Sequence, residues 1–134
     1  MDKDKASYVF RYYHHLLNTH ERMASRHLTA TLKATRGRDD AAAQEEATHG
    51  PSHFRDMLSS DPEVLRLARD GFQAFVMNTA ERIMKDHSKE IAFNCCPRCG
   101  RVAPTPKARQ CRFCRHDWHD RTRTSKFKWL LRRP

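Results

Sequence analysis

Two CxxC pairs constrain this chain more than any other feature of its sequence. Cys96 and Cys99 form the first pair, Cys111 and Cys114 form the second, and 11 residues separate the pairs. Two residues between cysteines let the chain turn so that both sulfurs face one point, and two such turns offer four thiolates to a single tetrahedral ion. We therefore predict one structural Zn²⁺ held by these four cysteines.

The residues next to the cysteines favour turns over helix. Gly100 directly follows the first pair, where it tolerates a positive φ. Pro104 and Pro106 lie between the pairs and disfavour a helix there. The intervening segment is long enough for a short hairpin or an irregular loop, but too short for a domain.

Other uses of the cysteines have less support. Two disulfides need an oxidising compartment, whereas residues 2–5 are all charged and the first residues do not form an apolar signal segment. A redox-active CxxC usually accompanies a βαβ pattern, and the preceding sequence lacks one. Cys95 can replace Cys96 as a ligand, and His116 and His119 are substitute ligands, but four cysteines already close the coordination shell. We therefore expect no open catalytic position at the metal.

The run Cys-Pro-Arg-Cys-Gly at 96–100, followed by Cys-Arg-Phe-Cys at 111–114, resembles the zinc-ribbon and rubredoxin-knuckle families. The resemblance covers Cys95 to about His119. It implies a small β-rich metal module, which such families use for nucleic-acid binding, for protein contacts or as a structural clasp. The first 90 residues resemble no family that we recognise.

The 134 residues leave room for one domain, or for a helical part with a metal-held appendage. We predict a mainly α protein, in which a long-helix hairpin or bundle precedes a small β-rich zinc-ribbon module and a basic tail. The expected boundaries are a helical domain at 1–90 with a linker at about 35–50, the zinc-ribbon module at 91–120, and the tail at 121–134. No apolar run approaches the 18 residues of a membrane span.

The first predicted helix runs from about Lys5 to Lys33, without Gly or Pro. Within it, His20 and His27 lie two turns apart on one stripe, where both rings can reach a common ligand. A helical histidine is more often a hydrogen-bonded interior or boundary residue. The predicted buried stripe comprises Val9, Tyr13, Leu16, His20, Met23, His27 and Ala30.

Residues 35–50 contain no large apolar side chain, so we expect a linker. Its alanines and glutamates allow one or two solvated helical turns that start at Asp39 or Asp40, with nothing to bury. Asp61 and Pro62 then give a strong helix start, because aspartate caps the free amides and proline fits the first helical position.

The second long helix is predicted to run from Pro62 to about Asp86, and residues 91–93 then alternate as a strand entering the cysteine segment. Two long helices and one short helix cannot enclose a core from both sides. We therefore expect either a homodimer or the ribbon to cover the helical stripe. The predicted stripe comprises Leu65, Ala68, Phe72, Phe75, Val76, Ala80, Ile83 and Met84.

Net charge is divided unevenly along the chain. Residues 1–87 hold 13 basic and 13 acidic side chains, whereas residues 88–134 hold 13 basic and 3 acidic side chains and carry the whole formal charge of +10. Four thiolates and one Zn²⁺ lower that total to +8. A basic excess of this size favours an anionic partner.

No motif of an enzyme class is evident: the chain lacks a phosphate-binding glycine loop, a nucleophile elbow and a His-Glu-x-x-His helix. A zinc-assisted nuclease using His116, Asp117 and His119 is conceivable, but a closed four-cysteine site gives no activated water. We therefore expect no enzymatic activity.

Two non-enzymatic hypotheses remain, and the first is nucleic-acid binding through basic and aromatic side chains. The second is a protein-binding adaptor or inhibitor, of the immunity or antitoxin kind, that grips an acidic partner. We favour nucleic acid, in the cytoplasm and without membrane contact. The candidate binding residues are Arg98, Arg101, Lys107, Arg109, Arg112, Arg115, Trp118, Arg121, Arg123, Lys126, Lys128 and Trp129.

Overall fold

A computed structural model of the protein describes residues 1–119. The chain divides into two compact units, Met1–Ile91 and a second unit that begins at Ala92. We name them the helical unit and, for residues 92–119, the cysteine module. Within the described residues no helix is both long and apolar enough to cross a lipid bilayer.

Six α-helices and one short 3₁₀ turn build the helical unit, so the prediction of a mainly helical chain is confirmed for the part that the structure describes. The helices are α1 Lys3–Tyr12, α2 Thr19–Ala34, α3 Ala41–Ala47, α4 Ser52–Arg55, α5 Pro62–Ala68 and α6 Gly71–His87, with the 3₁₀ turn at His14–Leu16. Helix α1 packs against α6, and α2 packs against α3, α5 and α6.

The predicted single helix from Lys5 to Lys33 is wrong, because the chain turns between α1 and α2. Asn18 caps α2 by accepting a hydrogen bond from the Glu21 N–H at 2.9 Å, and the Glu21 carboxylate accepts one from the Asn18 N–H at 2.9 Å. This reciprocal capping box satisfies amides that an unbroken helix would have paired internally. The break changes which side chains face inward. His27 is buried as expected, whereas Met23 is exposed.

The second predicted long helix also divides, at the junction of α5 and α6. The helix start at Asp61 is confirmed, since its carboxylate accepts from the Glu63 N–H at 2.9 Å. Gly71 then adopts a φ of +91°, and a Cβ there would lie 3.1 Å from an Asp39 carboxylate oxygen. Asp39 accepts a hydrogen bond from the Phe72 N–H at 2.7 Å. Only glycine therefore combines this backbone conformation with the close approach of Asp39.

The segment at 35–50 is more than a solvated connection. Asp40 caps α3 through the Ala43 N–H, so the predicted start of a helix at this position is confirmed. The expectation that the segment has nothing to bury is wrong, because Ala43 and Ala47 are buried and α3 packs on α2. A methyl group is small enough to let two helices approach closely, which a search for large apolar residues does not detect.

The apolar stripe of α6 is covered within one chain. Phe75 and Ile83 are almost completely buried. Phe10 from α1 meets the rings of Phe72 and Phe75 edge to face, with centroid distances of 5.9 and 5.7 Å. The stripe thus needs no second copy for cover, and the homodimer stays a prediction without this argument. Leu65, which the pattern placed on the core face, is exposed.

An ion pair ties the start of α2 to α6. The Glu21 side chain is 5% exposed and the Arg82 side chain 28% exposed. The guanidinium donates to both carboxylate oxygens of Glu21 and to the Leu16 carbonyl at 2.9 Å. Glu21 therefore serves two purposes, as the reciprocal partner in the α2 cap and as the counter-charge of Arg82.

Replacing Arg82 with methionine should lower the free energy of unfolding by about 2–3 kcal/mol, because it leaves the Glu21 carboxylate buried without its counter-charge. Chemical denaturation followed by helical circular dichroism measures the change. The matched control is Arg66→Met, which breaks the exposed Arg66–Glu63 pair and should change stability little. Equal effects of the two substitutions would contradict the structural importance of the Glu21–Arg82 pair.

Candidate metal centre

The first cysteine pair forms a turn that directs backbone amides at a sulfur. The N–H groups of Arg98 and Cys99 point at the Cys96 Sγ, at 3.4 and 3.5 Å. The Cys96 N–H donates to the Arg101 carbonyl at 2.8 Å and closes the turn. Gly100 has a φ of +78°, which confirms the prediction for this position. Such amide-to-sulfur contacts orient a thiolate for metal binding.

The second pair repeats this arrangement. The N–H groups of Phe113 and Cys114 point at the Cys111 Sγ, at 3.3 and 3.4 Å. The Cys111 N–H donates to the His116 carbonyl at 2.8 Å. Arg115 occupies the position equivalent to Gly100 and also has a positive φ, of 63°. This positive φ was not predicted from the sequence, although the position directly after a CxxC pair was the available signal.

Each turn is closed by one antiparallel β-bridge, Cys95 with Val102 and Gln110 with Asp117. Within residues 92–119 the β pairing consists of these two isolated bridges. Residues 91–93, predicted to enter the module as a strand, have no regular secondary structure. The two halves of the module thus share one backbone pattern, which places the two cysteine pairs opposite each other.

The four predicted ligands come together in space. The Sγ atoms of Cys96 and Cys114 are 3.6 Å apart, those of Cys99 and Cys111 are 3.5 Å apart, and all four lie within 4.8 Å of one another. Thiolates at about 2.3 Å from a tetrahedral ion have sulfur–sulfur separations of about 3.8 Å. The cluster therefore has the dimensions of a four-cysteine metal site. The separations exceed the S–S bond of about 2.05 Å, so the sulfurs are free thiols.

The alternative ligands lie outside this cluster. Cys95 is exposed and is not among the four sulfurs. The His119 ring contacts the Asp117 carboxylate instead, with Nδ1 and Oδ1 2.6 Å apart. In the described part of the chain, the cluster is composed of cysteines alone.

Hydrogen bonds and neighbouring sulfurs perturb the thiols in opposite directions. The backbone N–H of Cys114 is the main cause that lowers the pKa of Cys111 to about 6. The Arg101 N–H favours the thiolate of Cys99, but burial and the adjacent sulfurs outweigh it and raise the pKa of Cys99 to about 11. The cluster thus stabilises a thiolate at one position while it retains a proton at another. A divalent cation bound to the four sulfurs would displace that proton.

The basic side chains of the module and Phe113 are exposed, whereas His116 and Trp118 are half-buried. The Arg101 guanidinium lies 4.4 Å from the centre of the Phe113 ring, and that of Arg112 lies 5.0 Å from it. The rings of His116 and Trp118 stack at 6.1 Å, with 20° between their planes. The predicted tail residues Arg121, Arg123, Lys126, Lys128 and Trp129 lie outside the described residues.

His20 and His27 do not form a shared site. His27 is 3% exposed and both of its ring nitrogens are engaged: Nδ1 accepts from the Ser59 N–H at 3.1 Å, and Nε2 lies 3.3 Å from the Gln44 Oε1. Gln44 is itself oriented, because its amide nitrogen donates to the Ala68 carbonyl at 3.0 Å. Burial lowers the pKa of His27, and the Gln44 hydrogen bond only partly opposes this effect. His27 is therefore a neutral interior histidine, whereas His20 is exposed.

No protein-family model matches this chain, and neither a curated protein nor a solved structure matches it. The fold and the site therefore define the protein by class alone, as a mainly helical chain with a four-cysteine candidate metal centre.

We expect one zinc per chain in elemental analysis of the purified protein. Cys99→Ser should abolish stoichiometric zinc, since it removes one of four thiolates, and the metal should also be released on acidification as protons compete for sulfur. Cys95→Ser is the matched control, because it changes the neighbouring thiol outside the cluster and should leave zinc bound. Equal zinc in the Cys99 variant and the wild type would contradict the ligand assignment.

Acid should destabilise the helical unit through His27. In the unfolded chain this ring takes up a proton near pH 6.5, whereas in the folded chain its pKa is lower. Between these values the unfolded state binds more protons, so the stability that neutral His27 contributes above pH 6.5 is lost as pH falls towards its folded pKa. Denaturation curves between about pH 7 and pH 5 should show this fall. His27→Gln should flatten the dependence, whereas the exposed control His15→Gln should retain it.

Proposed function

We propose that this chain is a non-enzymatic zinc protein that binds nucleic acid through the basic surface of its cysteine module and through the tail that follows. The zinc is proposed from the chemistry of the donor set, because four thiolates in a tetrahedral cluster suit Zn²⁺. Such a centre has a closed coordination shell and offers no activated water, which supports a structural rather than a catalytic role. Reduced thiols suit a reducing compartment such as the cytoplasm.

The observation that carries the proposal is the unbalanced charge on the surface of the module. Residues 92–119 contain six basic side chains, and each of them is exposed. The one acidic side chain in this segment, Asp117, accepts hydrogen bonds from the backbone and lies beside the ring of His119. The six basic residues are Arg98, Arg101, Lys107, Arg109, Arg112 and Arg115.

The metal centre does not consume this positive charge. One Zn²⁺ with four thiolates carries −2, so six positive charges, one negative charge and the centre leave a formal charge of +3 on residues 92–119. The residues after the module add further cations in sequence. A surface of this charge attracts a polyanion, and nucleic acid is a polyanion with regularly spaced phosphates along its length.

The salt dependence of binding tests the proposal. Fluorescence anisotropy with labelled DNA and RNA should show log affinity falling linearly with log salt, because each neutralised phosphate releases counterions. Replacing Arg98, Lys107 and Arg109 with glutamine should weaken binding to all sequences alike and reduce the slope by about two to three units. These three side chains are chosen because they are exposed and none of them is a member of the four-cysteine cluster.

The matched control replaces three exposed basic residues of the helical unit, Arg26, Arg55 and Lys85, with glutamine. It removes the same charge and should leave the slope unchanged. Failure of every nucleic acid to bind more tightly than about 10⁻⁴ M at physiological salt would overturn the proposal. Affinity that instead depends on one or two buried anchors of a protein partner would favour the adaptor hypothesis.

A further inference from the structure

The cysteine module exposes an aromatic ring that its interior does not use. Phe113 lies in the second cysteine turn and is 39% exposed. The interior of the module is formed by Val102 and Ala103, at 4% and 3% exposure, together with the buried ligands Cys96 and Cys111. In so small a module an aromatic residue commonly forms the core. Phe113 is not among the buried residues that form the interior here.

The metal turns hold the residues around this ring in place. The Phe113 N–H points at the Cys111 Sγ, and the Arg101 carbonyl accepts from the Cys96 N–H. The guanidinium groups of Arg101 and Arg112 lie over the Phe113 ring, at 4.4 and 5.0 Å from its centre. These planar guanidinium groups and the exposed part of the ring are surfaces on which a nucleobase can stack.

A second pair of rings lies in the same half of the module. His116 and Trp118 stack with 20° between their planes, and both are partly exposed. Their backbone is also fixed by the second turn, because the His116 carbonyl accepts from the Cys111 N–H and the Trp118 N–H donates to the Arg109 carbonyl at 2.8 Å. Two aromatic groups therefore stand among exposed arginines on a backbone that the cysteine turns hold in place.

We propose that these aromatic groups stack on unpaired bases, so that the module prefers single-stranded nucleic acid to duplex. The inference rests on the proposed nucleic-acid function and specifies its substrate. Phosphate contacts alone do not distinguish the two forms by their bases, whereas in a duplex the base faces are already stacked on their neighbours. Arginine supplies the contact with the backbone, and Phe113 and Trp118 supply the contact with the bases.

The test compares three probes of equal length on the full zinc-loaded chain: a labelled oligothymidine strand, its duplex with oligoadenosine, and an abasic strand with the same phosphates. The oligothymidine strand should bind most tightly, by about 5- to 150-fold over the abasic strand, which is the range for stacking of one base. Phe113→Leu should remove most of this advantage and leave binding to the abasic strand within about twofold. Phe113→Tyr keeps the aromatic ring and should retain the preference for the oligothymidine strand. Trp118→Leu and Trp118→Phe form a second pair of this kind, in which the leucine variant should lose the preference and the phenylalanine variant should retain it.

Zinc content of each variant reports whether the module still folds, and the comparison of the three probes on the wild type needs no variant. Equal binding of all three probes would overturn the stacking inference while the proposed function stands. Absence of binding to any probe would overturn both. A leucine variant that retains zinc and the full preference for the oligothymidine strand would show that Phe113 does not contact the bases.

Discussion

The cysteine module depends on one constraint, that four sulfurs converge on a single point. The module buries little apolar surface, chiefly Val102 and Ala103, so the hydrophobic effect alone cannot hold it together. Two turns with the same backbone pattern bring Cys96 within 3.6 Å of Cys114. In the proposed zinc form the metal–thiolate bonds replace a core, and interior positions are no longer needed for large side chains. Phe113 is therefore exposed at the surface, where we propose that it stacks on bases.

The helical unit is held by ordinary packing and by two polar groups that connect distant segments. Glu21 joins the start of α2 to Arg82 of α6, while it completes the cap of its own helix. His27 joins α2 to Gln44 of α3 and to the backbone at Ser59. Among the described residues, no buried side-chain nitrogen or oxygen lacks a hydrogen-bond partner, which is the condition under which such groups specify one arrangement of helices. The buried neutral ring makes that arrangement sensitive to acid.

Much of the candidate site was predictable because its chemistry is local. The spacing of the cysteines identified all four members of the cluster, and the position after the first pair identified the positive φ of Gly100. Helix starts at Asp40 and Asp61 followed from side-chain capping in the same way. The breaks between consecutive helices were harder to predict. Asn18 carries a capping-box signal that competed with an uninterrupted apolar pattern, and the capping box prevailed.

Residue identity and spacing thus determined the cysteine turns, the helix starts and the concentration of positive charge after residue 87, since each depends on neighbours within a few positions. The tertiary structure decided the rest. Burial of Ala43, the conformation of Gly71 beside Asp39 and the neutral state of His27 all depend on contacts between segments that are distant in sequence. The exposure of Phe113 was likewise decided by the tertiary structure. A sequence pattern shows that a side chain is apolar, but only the packed chain shows whether another group covers it.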